Sequence, residues 1–285
     1  MLTLDNVSFK YRAGVQAISE ANAVIGPGSY LLIGSNGSGK TTLLRLMSSL
    51  LLATSGSVDI DGLNIAARAP HILSQIFFLP DDLRAPMSTI AEMEKRHACF
   101  YPGFNPELLR ANLADFGLTG REKLDSLSLG MRRKALISYA LSLGVKYLML
   151  DEPANGMDID AKKIFARMIN RCIDDDTVLI ISTHNTQQLS GMFTHLLYLD
   201  KGRLAIAMPV ADLLERIAFV TSPSPVFGAA YQEPSAGMFH AVIANEDGLE
   251  TSIDYPLLFS ALTSANGASL AEFINKSLPK KDESL

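Results

Sequence analysis

Apolar residues along this chain gather in short blocks separated by turn residues, and the blocks change character twice. Residues 2–11, 21–25, 29–33 and 57–60 read as strands, punctuated by Gly26-Pro27-Gly28, Thr54-Ser55-Gly56 and Asp61-Gly62. The run 75–79 is a further apolar strand, stopped by Pro80. From 88 to about 119 the spacing turns helical, broken at Tyr101-Pro102-Gly103, and Ser88 is the predicted cap of the first helix. Helix and strand then alternate: helix 131–143, strand 147–150, helix 161–173, strand 177–182 and strand 196–199. Such alternation implies a parallel wound sheet, with 83–126 as a helical insert.

Beyond Leu214 the pattern changes again. Thr221-Ser222-Pro223-Ser224-Pro225 reads as a linker, and 240–244 with 249–255 reads as a hairpin through Asn245-Glu246-Asp247-Gly248. Helices are expected at 256–263 and 269–277, with a frayed end after Pro279. The chain thus divides into a main unit, 1–215, and a small α+β extension, 216–285.

Composition narrows the partners. The 285 residues can bury one large core or two modest ones. A net charge of −5 argues against nucleic acid as the main partner, because such binders carry a basic excess. Cys99 and Cys172 lie far apart without metal-ligand spacing and read as buried reduced thiols. The first twelve residues lack the apolar core of a secretory signal, and no run approaches the length of a spanning helix. Hydrophobic residues still make up 48%, with a mean hydropathy of +0.18, which allows either a larger core or an apolar docking face.

The sharpest chemical signal is Gly34-Ser35-Asn36-Gly37-Ser38-Gly39-Lys40-Thr41, which fits the pattern G-x-x-x-x-G-K-[ST] between a strand and the helix that opens at Thr42. Glycines let the backbone close around phosphate oxygens, and the helix N-terminus adds N–H donors and a favourable dipole. Lys40 is suited to the β- and γ-phosphates of a nucleotide, and the Thr41 hydroxyl to Mg²⁺. The strand 147–150 runs into Asp151 and Glu152, an oxygen ligand for a hard cation followed by a candidate general base. Between them lies Leu127-Ser128-Leu129-Gly130-Met131-Arg132-Arg133-Lys134, where Ser128 and Gly130 near a helix start again suit a phosphate.

The order and spacing of these segments, completed by Ile181-Ser182-Thr183-His184, resemble those of the ATP-binding cassette (ABC) ATPases over residues 1 to about 215. The resemblance implies an α/β P-loop NTPase with a RecA-like core, an N-terminal antiparallel β subdomain and a helical subdomain at about 83–126. It implies that Tyr11 stacks on adenine, that Gly34 to Thr42 hold ATP, and that Glu152 and His184 are the catalytic base and the γ-phosphate switch. His195 reads as an ordinary sheet residue. Two cassettes would pack head to tail, so that Ser128 and Gly130 of one cap the nucleotide of the other and Asp158 joins a communication loop.

Two positions depart from the family pattern. Leu129 replaces a glycine, and Asp81 stands where a metal-associated glutamine is usual, a carboxylate that can also ligate Mg²⁺. Met131-Arg132-Arg133-Lys134 resembles exporter-type cassettes, whose permease is a separate polypeptide, and Phe100, Tyr101 and Phe104 are candidate permease contacts or core aromatics. The expectation is an ATPase subunit, peripheral on the cytoplasmic face of the cell membrane, that energises an integral permease. The alternative is a soluble ABC ATPase of cofactor assembly or repair.

Overall fold

The computed structural model describes residues 1–12, 14–82, 87–183 and 191–276. An antiparallel sheet forms first, from β1 (Leu2–Lys10), β2 (Gln16–Ile25), β4 (Ser55–Ile60) and the short β5 (Leu63–Asn64), in the order β2-β1-β4-β5. The central sheet takes β3 (Gly28–Ile33), β6 (Ile76–Leu79), β7 (Tyr147–Asp151), β8 (Val178–Ser182), β9 (His195–Asp200) and β10 (Arg203–Pro209), ordered β10-β9-β3-β8-β7-β6. All its pairs are parallel except β9 with β10.

The continuous apolar strands have a simple cause: they are covered on both faces. Successive side chains point to opposite sides, so each strand feeds two cores. Leu148 and Leu150 of β7, with Leu179 and Ile181 of β8, join one core. Tyr147 and Met149, with Val178 and Ile180, join the other. The second core carries α1 (Lys40–Met47) and the N-terminal sheet. On the first core lie α3 (Ile90–His97), α4 (Pro106–Asp115), α5 (Leu129–Leu141) and α6 (Ile159–Cys172), while α2 (Pro70–Leu73) sits beside β6.

Helix caps follow the local sequence. Asn105 caps α4, Ser128 caps α5 and Asp158 caps α6, each accepting a backbone N–H with its side chain. The cap of α3 is Thr89 rather than the expected Ser88: Thr89 Oγ1 accepts from Glu92 N, while Ser88 N donates back to Glu92 Oε2. This reciprocal box needs its hydroxyl three residues before the glutamate, and only Thr89 is at that distance.

The C-terminal part differs most from expectation. After α7 (Val210–Leu214), strands β11 (Ile217–Ser222), β12 (Tyr231–Ser235) and β13 (Met238–Ala244) form a sheet ordered β11-β13-β12. The hairpin is β12–β13, turning through Ala236 and Gly237 at φ 50° and 79°, and not the predicted pairing of 240–244 with 249–255. As the central strand, β13 has both edges already paired, so no edge is left for 249–255. The Asn245 side chain instead bridges Leu214 O and the backbone of Leu249.

Helices α8 (Tyr255–Thr263) and α9 (Gly267–Asn275) close the described chain. No single helix among the described residues is long and apolar enough to cross a membrane; α8 and α9 pass only as a pair bent by 115°. Their apolar residues Leu257, Leu258, Leu262 and Ile274 are buried in the first core. Tyr198 of β9 donates its hydroxyl to Leu262 O at 3.0 Å, and Arg216 donates to the carbonyls of Ile274 and Lys276. Cys172 is partly buried, with its thiol pushed up by burial, whereas Cys99 is exposed, contrary to the expected burial of both.

Because one core serves both parts, Leu258→Ala should cost about 2–5 kcal/mol, the range for a buried leucine truncated to a cavity. Urea unfolding followed by far-UV CD should remain one transition at a lower midpoint. A separate early step that leaves the main transition unmoved would contradict the shared core.

Candidate functional site

A cleft of about 400 Å³ opens where the N-terminal sheet meets the central one, lined by Tyr11, Asn36, Gly37, Gly39, Lys40, Thr41, Thr42, Asp81, Asp151 and Glu152 among others. Its floor is the loop between β3 and α1. Two glycines there are irreplaceable for space: a Cβ on Gly34 would stand 2.4 Å from Leu199 O, and one on Gly39, at φ 108°, 2.6 Å from Ala17 O. The turn therefore lies tightly against β9 and β2, and α1 starts with its first N–H groups at the cleft.

Lys40 folds back on this loop, donating to Gly34 O at 2.7 Å and Ser35 O at 3.2 Å. Burial holds its ammonium below the ordinary lysine range, against the opposing pull of Glu152 and Asp151. Ser38 is buried in the same loop, and its hydroxyl has no partner among the described residues. A buried unpaired hydroxyl beside a lysine held by main-chain oxygens is a cradle whose donors fit an anion.

Asp151, at the end of β7, is 3% exposed. Thr41 donates its hydroxyl to Asp151 Oδ2 at 2.6 Å, and Ser182 donates to Asp151 Oδ1 from the adjacent strand. Register sets this second bond, because Asp151 and Ser182 are directly paired in the β7–β8 ladder. A hydroxyl and a carboxylate, adjacent and open to the cleft, fit a hard cation that keeps part of its water shell. Among the described residues no cluster of three His, Cys, Asp or Glu side chains forms a softer or fuller metal cage.

Glu152 follows in the left-handed conformation, at φ 48°. Such a φ costs energy for a glutamate and has to be held by its surroundings. Glu152 N donates to Ser182 O at 2.9 Å, and the Arg133 guanidinium donates to Glu152 O at 2.5 Å. The turn gives Asp151 and Glu152 different directions while both border the same cleft.

At the mouth, the hydroxyls of Tyr11 and Thr42 share a hydrogen bond at 3.0 Å, and the Tyr11 ring packs edge-on against Phe9 with centroids 4.9 Å apart. Asp81 enters from the end of β6 and accepts from Arg133 at 2.8 Å. Ser128 and Gly130 are not among the cleft-lining residues: Ser128 is exposed at the start of α5, and Leu129 beside it is 62% exposed. Asp158 is exposed, caps α6 through Ala161 N at 2.7 Å, and faces Lys134 at 3.4 Å. That backbone bond, with Lys134, holds its carboxyl below the usual range.

His184 lies outside the described residues. His195 begins β9 and stacks on Tyr30, with centroids 4.3 Å apart, a sheet position as expected. Tyr101 and Phe104 pack against the first core, while Phe100 is exposed. Sequence reasoning missed Arg133 entirely: it reads as one of three consecutive basic residues on a helix, and nothing in the spacing shows that only this one turns inward.

A model described as ABC transporter matches residues 21–155. A Pyrococcus abyssi protein provisionally named an ABC transporter ATP-binding protein is 28% identical over 228 residues, which cover 75% of this chain and 86% of that one. A Geobacter sulfurreducens protein of the same provisional name is 26% identical over 262 residues, covering 87% of this chain and 90% of its own length. Among solved structures, the dimeric post-hydrolysis state of the ATP-binding cassette MJ0796 bound to ADP and Pi shares 22% identity and a TM-score of 0.63, over 74% of this chain and 99% of that one.

The lowered Lys40 gives the cleft a pH dependence with a definite sign. Triphosphate affinity should be full while the amine is charged and fall as pH rises, beginning below about 10.4, the ordinary lysine value. Equilibrium dialysis of ATP across that range reads it directly, and Lys40→Ala should bind none at any pH. An onset no earlier than that of an ordinary lysine would contradict the burial argument.

Proposed function

We propose that this chain, which is similar to ABC transporter ATP-binding proteins, is the ATP-hydrolysing subunit of a transporter whose membrane permease is a separate polypeptide. The observation that carries the ATP-hydrolysing part of this reading is the Thr41–Asp151 contact at 2.6 Å, with Glu152 one residue on, in the same cleft as the Gly34 to Thr41 loop.

ATP enters with its adenine against Tyr11 and its phosphates on the loop. Lys40 exchanges its two main-chain carbonyls for β- and γ-phosphate oxygens, and the unpaired Ser38 hydroxyl gains an acceptor. Thr41 and Asp151 hold Mg²⁺, which when bound neutralises charge on the phosphate oxygens. Glu152 takes the proton of the attacking water, and His184 contacts the γ-phosphate. Ser182 keeps Asp151 oriented by donating to the oxygen that Thr41 does not use.

One chain alone leaves the γ-phosphate open on one side. The exposed Ser128 and the half-buried Gly130 of a second copy close it in a head-to-tail dimer, with Asp158 beside that junction. Closure is then driven by contacts that exist only while the γ-phosphate is present, and hydrolysis releases it. Residues 1–215 are the cassette, and 216–285 an extension that stiffens its β9–β10 edge. The signature ending in Met131-Arg132-Arg133-Lys134 favours the exporter direction. The subunit works at the cytoplasmic membrane face, and cargo choice rests with the permease.

Glu152→Gln should retain ATP and accumulate as a dimer on size-exclusion chromatography, with turnover down by about 10² or more, the scale of a lost general base. Normal turnover would remove Glu152 from that role. Pull-down of the tagged chain from native membranes in mild detergent should bring a multi-spanning protein in stoichiometric amount. Recovery wholly in the soluble fraction would favour a soluble ABC ATPase instead.

A further inference from the structure

One guanidinium joins three segments that the chemistry needs in register. Arg133 lies in α5, five residues after the Ser128 cap, and its side chain is 3% exposed. It donates to Glu152 O at 2.5 Å, to Asp81 O at 3.3 Å and to Asp81 Oδ1 at 2.8 Å. Its Nε is buried with no partner among the described residues. A buried guanidinium short of one acceptor is costly, so the bonds it does make are hard to give up. Losing Asp81 would leave the positive charge buried without its carboxylate.

Each bond has a consequence for the site. The bond to Glu152 O fixes the peptide that follows a left-handed glutamate, the residue whose aim matters most. The Asp81 contacts hold the end of β6 against the same helix. Asp81 also borders the cleft, and a metal there would compete with the guanidinium for one carboxylate while adding a second cation nearby. Charge-assisted bonding to a planar, always-charged donor favours the guanidinium.

We propose that Arg133 is the positioning residue for Glu152 and that Asp81 is its counter-ion and not a metal ligand, so that α5 and the Glu152 turn move as one body. The segment that presents Ser128 to a partner's nucleotide is thereby tied to the base of its own site. Glu152 is the chemical group here, and Arg133 acts through it. The inference rests on the ATPase reading above.

The test uses the full-length chain with Asp81→Asn, Arg133→Gln and the double variant. Turnover is measured against ATP and, separately, against Mg²⁺, with ATP binding followed by equilibrium dialysis. Each single variant should lower kcat about tenfold, the scale of a slightly misplaced catalytic group, with ATP affinity and the half-saturating Mg²⁺ each within about twofold of the parent. The double variant should be no slower than either single one, since one shared interaction is lost only once. Asp81 is 48% exposed, so Asp81→Asn carries the test if Arg133→Gln does not fold.

Three results would overturn the proposal: a half-saturating Mg²⁺ raised about tenfold by Asp81→Asn, as loss of a metal ligand predicts; multiplying losses in the double variant; or parental kcat in Asp81→Asn. An unmodified chain that binds ATP but never turns it over would instead overturn the ATPase reading, and this inference with it.

Discussion

Asp151 is a carboxylate buried at the end of a parallel strand, and its two oxygens are held by hydroxyls from two other elements, Thr41 of α1 and Ser182 of β8. A buried charge of this kind is tolerable only when its lone pairs are answered. The contact therefore fixes where the phosphate loop, β7 and β8 stand relative to one another. Glu152 inherits its position from that junction, one residue on and turned out by its left-handed backbone. A slip of one residue in the β7–β8 ladder would send Ser182 to the other face and leave Asp151 half paired.

The two-faced sheet explains why chemistry collects at one end of it. Every central strand alternates between two cores, so its side chains are committed to packing until the strand ends. Polar groups become available only where the parallel strands run out, at Asp151, at Ser182 and in the loop after β3. Parallel pairing puts those ends on the same side, where ligands of wound sheets bind. One core holds α1 and thus the phosphate side; the opposite core holds α5, α6 and the C-terminal helices. Arg133 and Thr41 reach the same strand end from opposite faces.

How much was legible depended on the range of the interaction. The phosphate loop, the Asp-Glu strand end, and the strands and helices of the central layer are written in local spacing and turn residues. Where a local signal had two readings, the nearer geometry decided: Thr89 displaced Ser88 as a cap because Glu92 is three residues from the former. The expected hairpin after β13 failed for a non-local reason, since both edges of that strand were taken by β11 and β12. The Asn-Glu-Asp-Gly turn signal was real but served a loop fastened to Leu214.

By itself, the sequence carried the resemblance to the ABC ATPases, the phosphate-loop pattern and the order of layers, because these rest on residue types at short fixed spacings. Tertiary structure alone decided which of Arg132, Arg133 and Lys134 faces inward, that Asp81 meets a guanidinium, and that the C-terminal helices share a core with the central sheet. These depend on partners well outside any local window, 19 residues away for Arg133 and Glu152, 52 for Arg133 and Asp81, and 64 for Tyr198 and Leu262. Such distances leave no trace in local periodicity, since only the packed sheet brings those partners together.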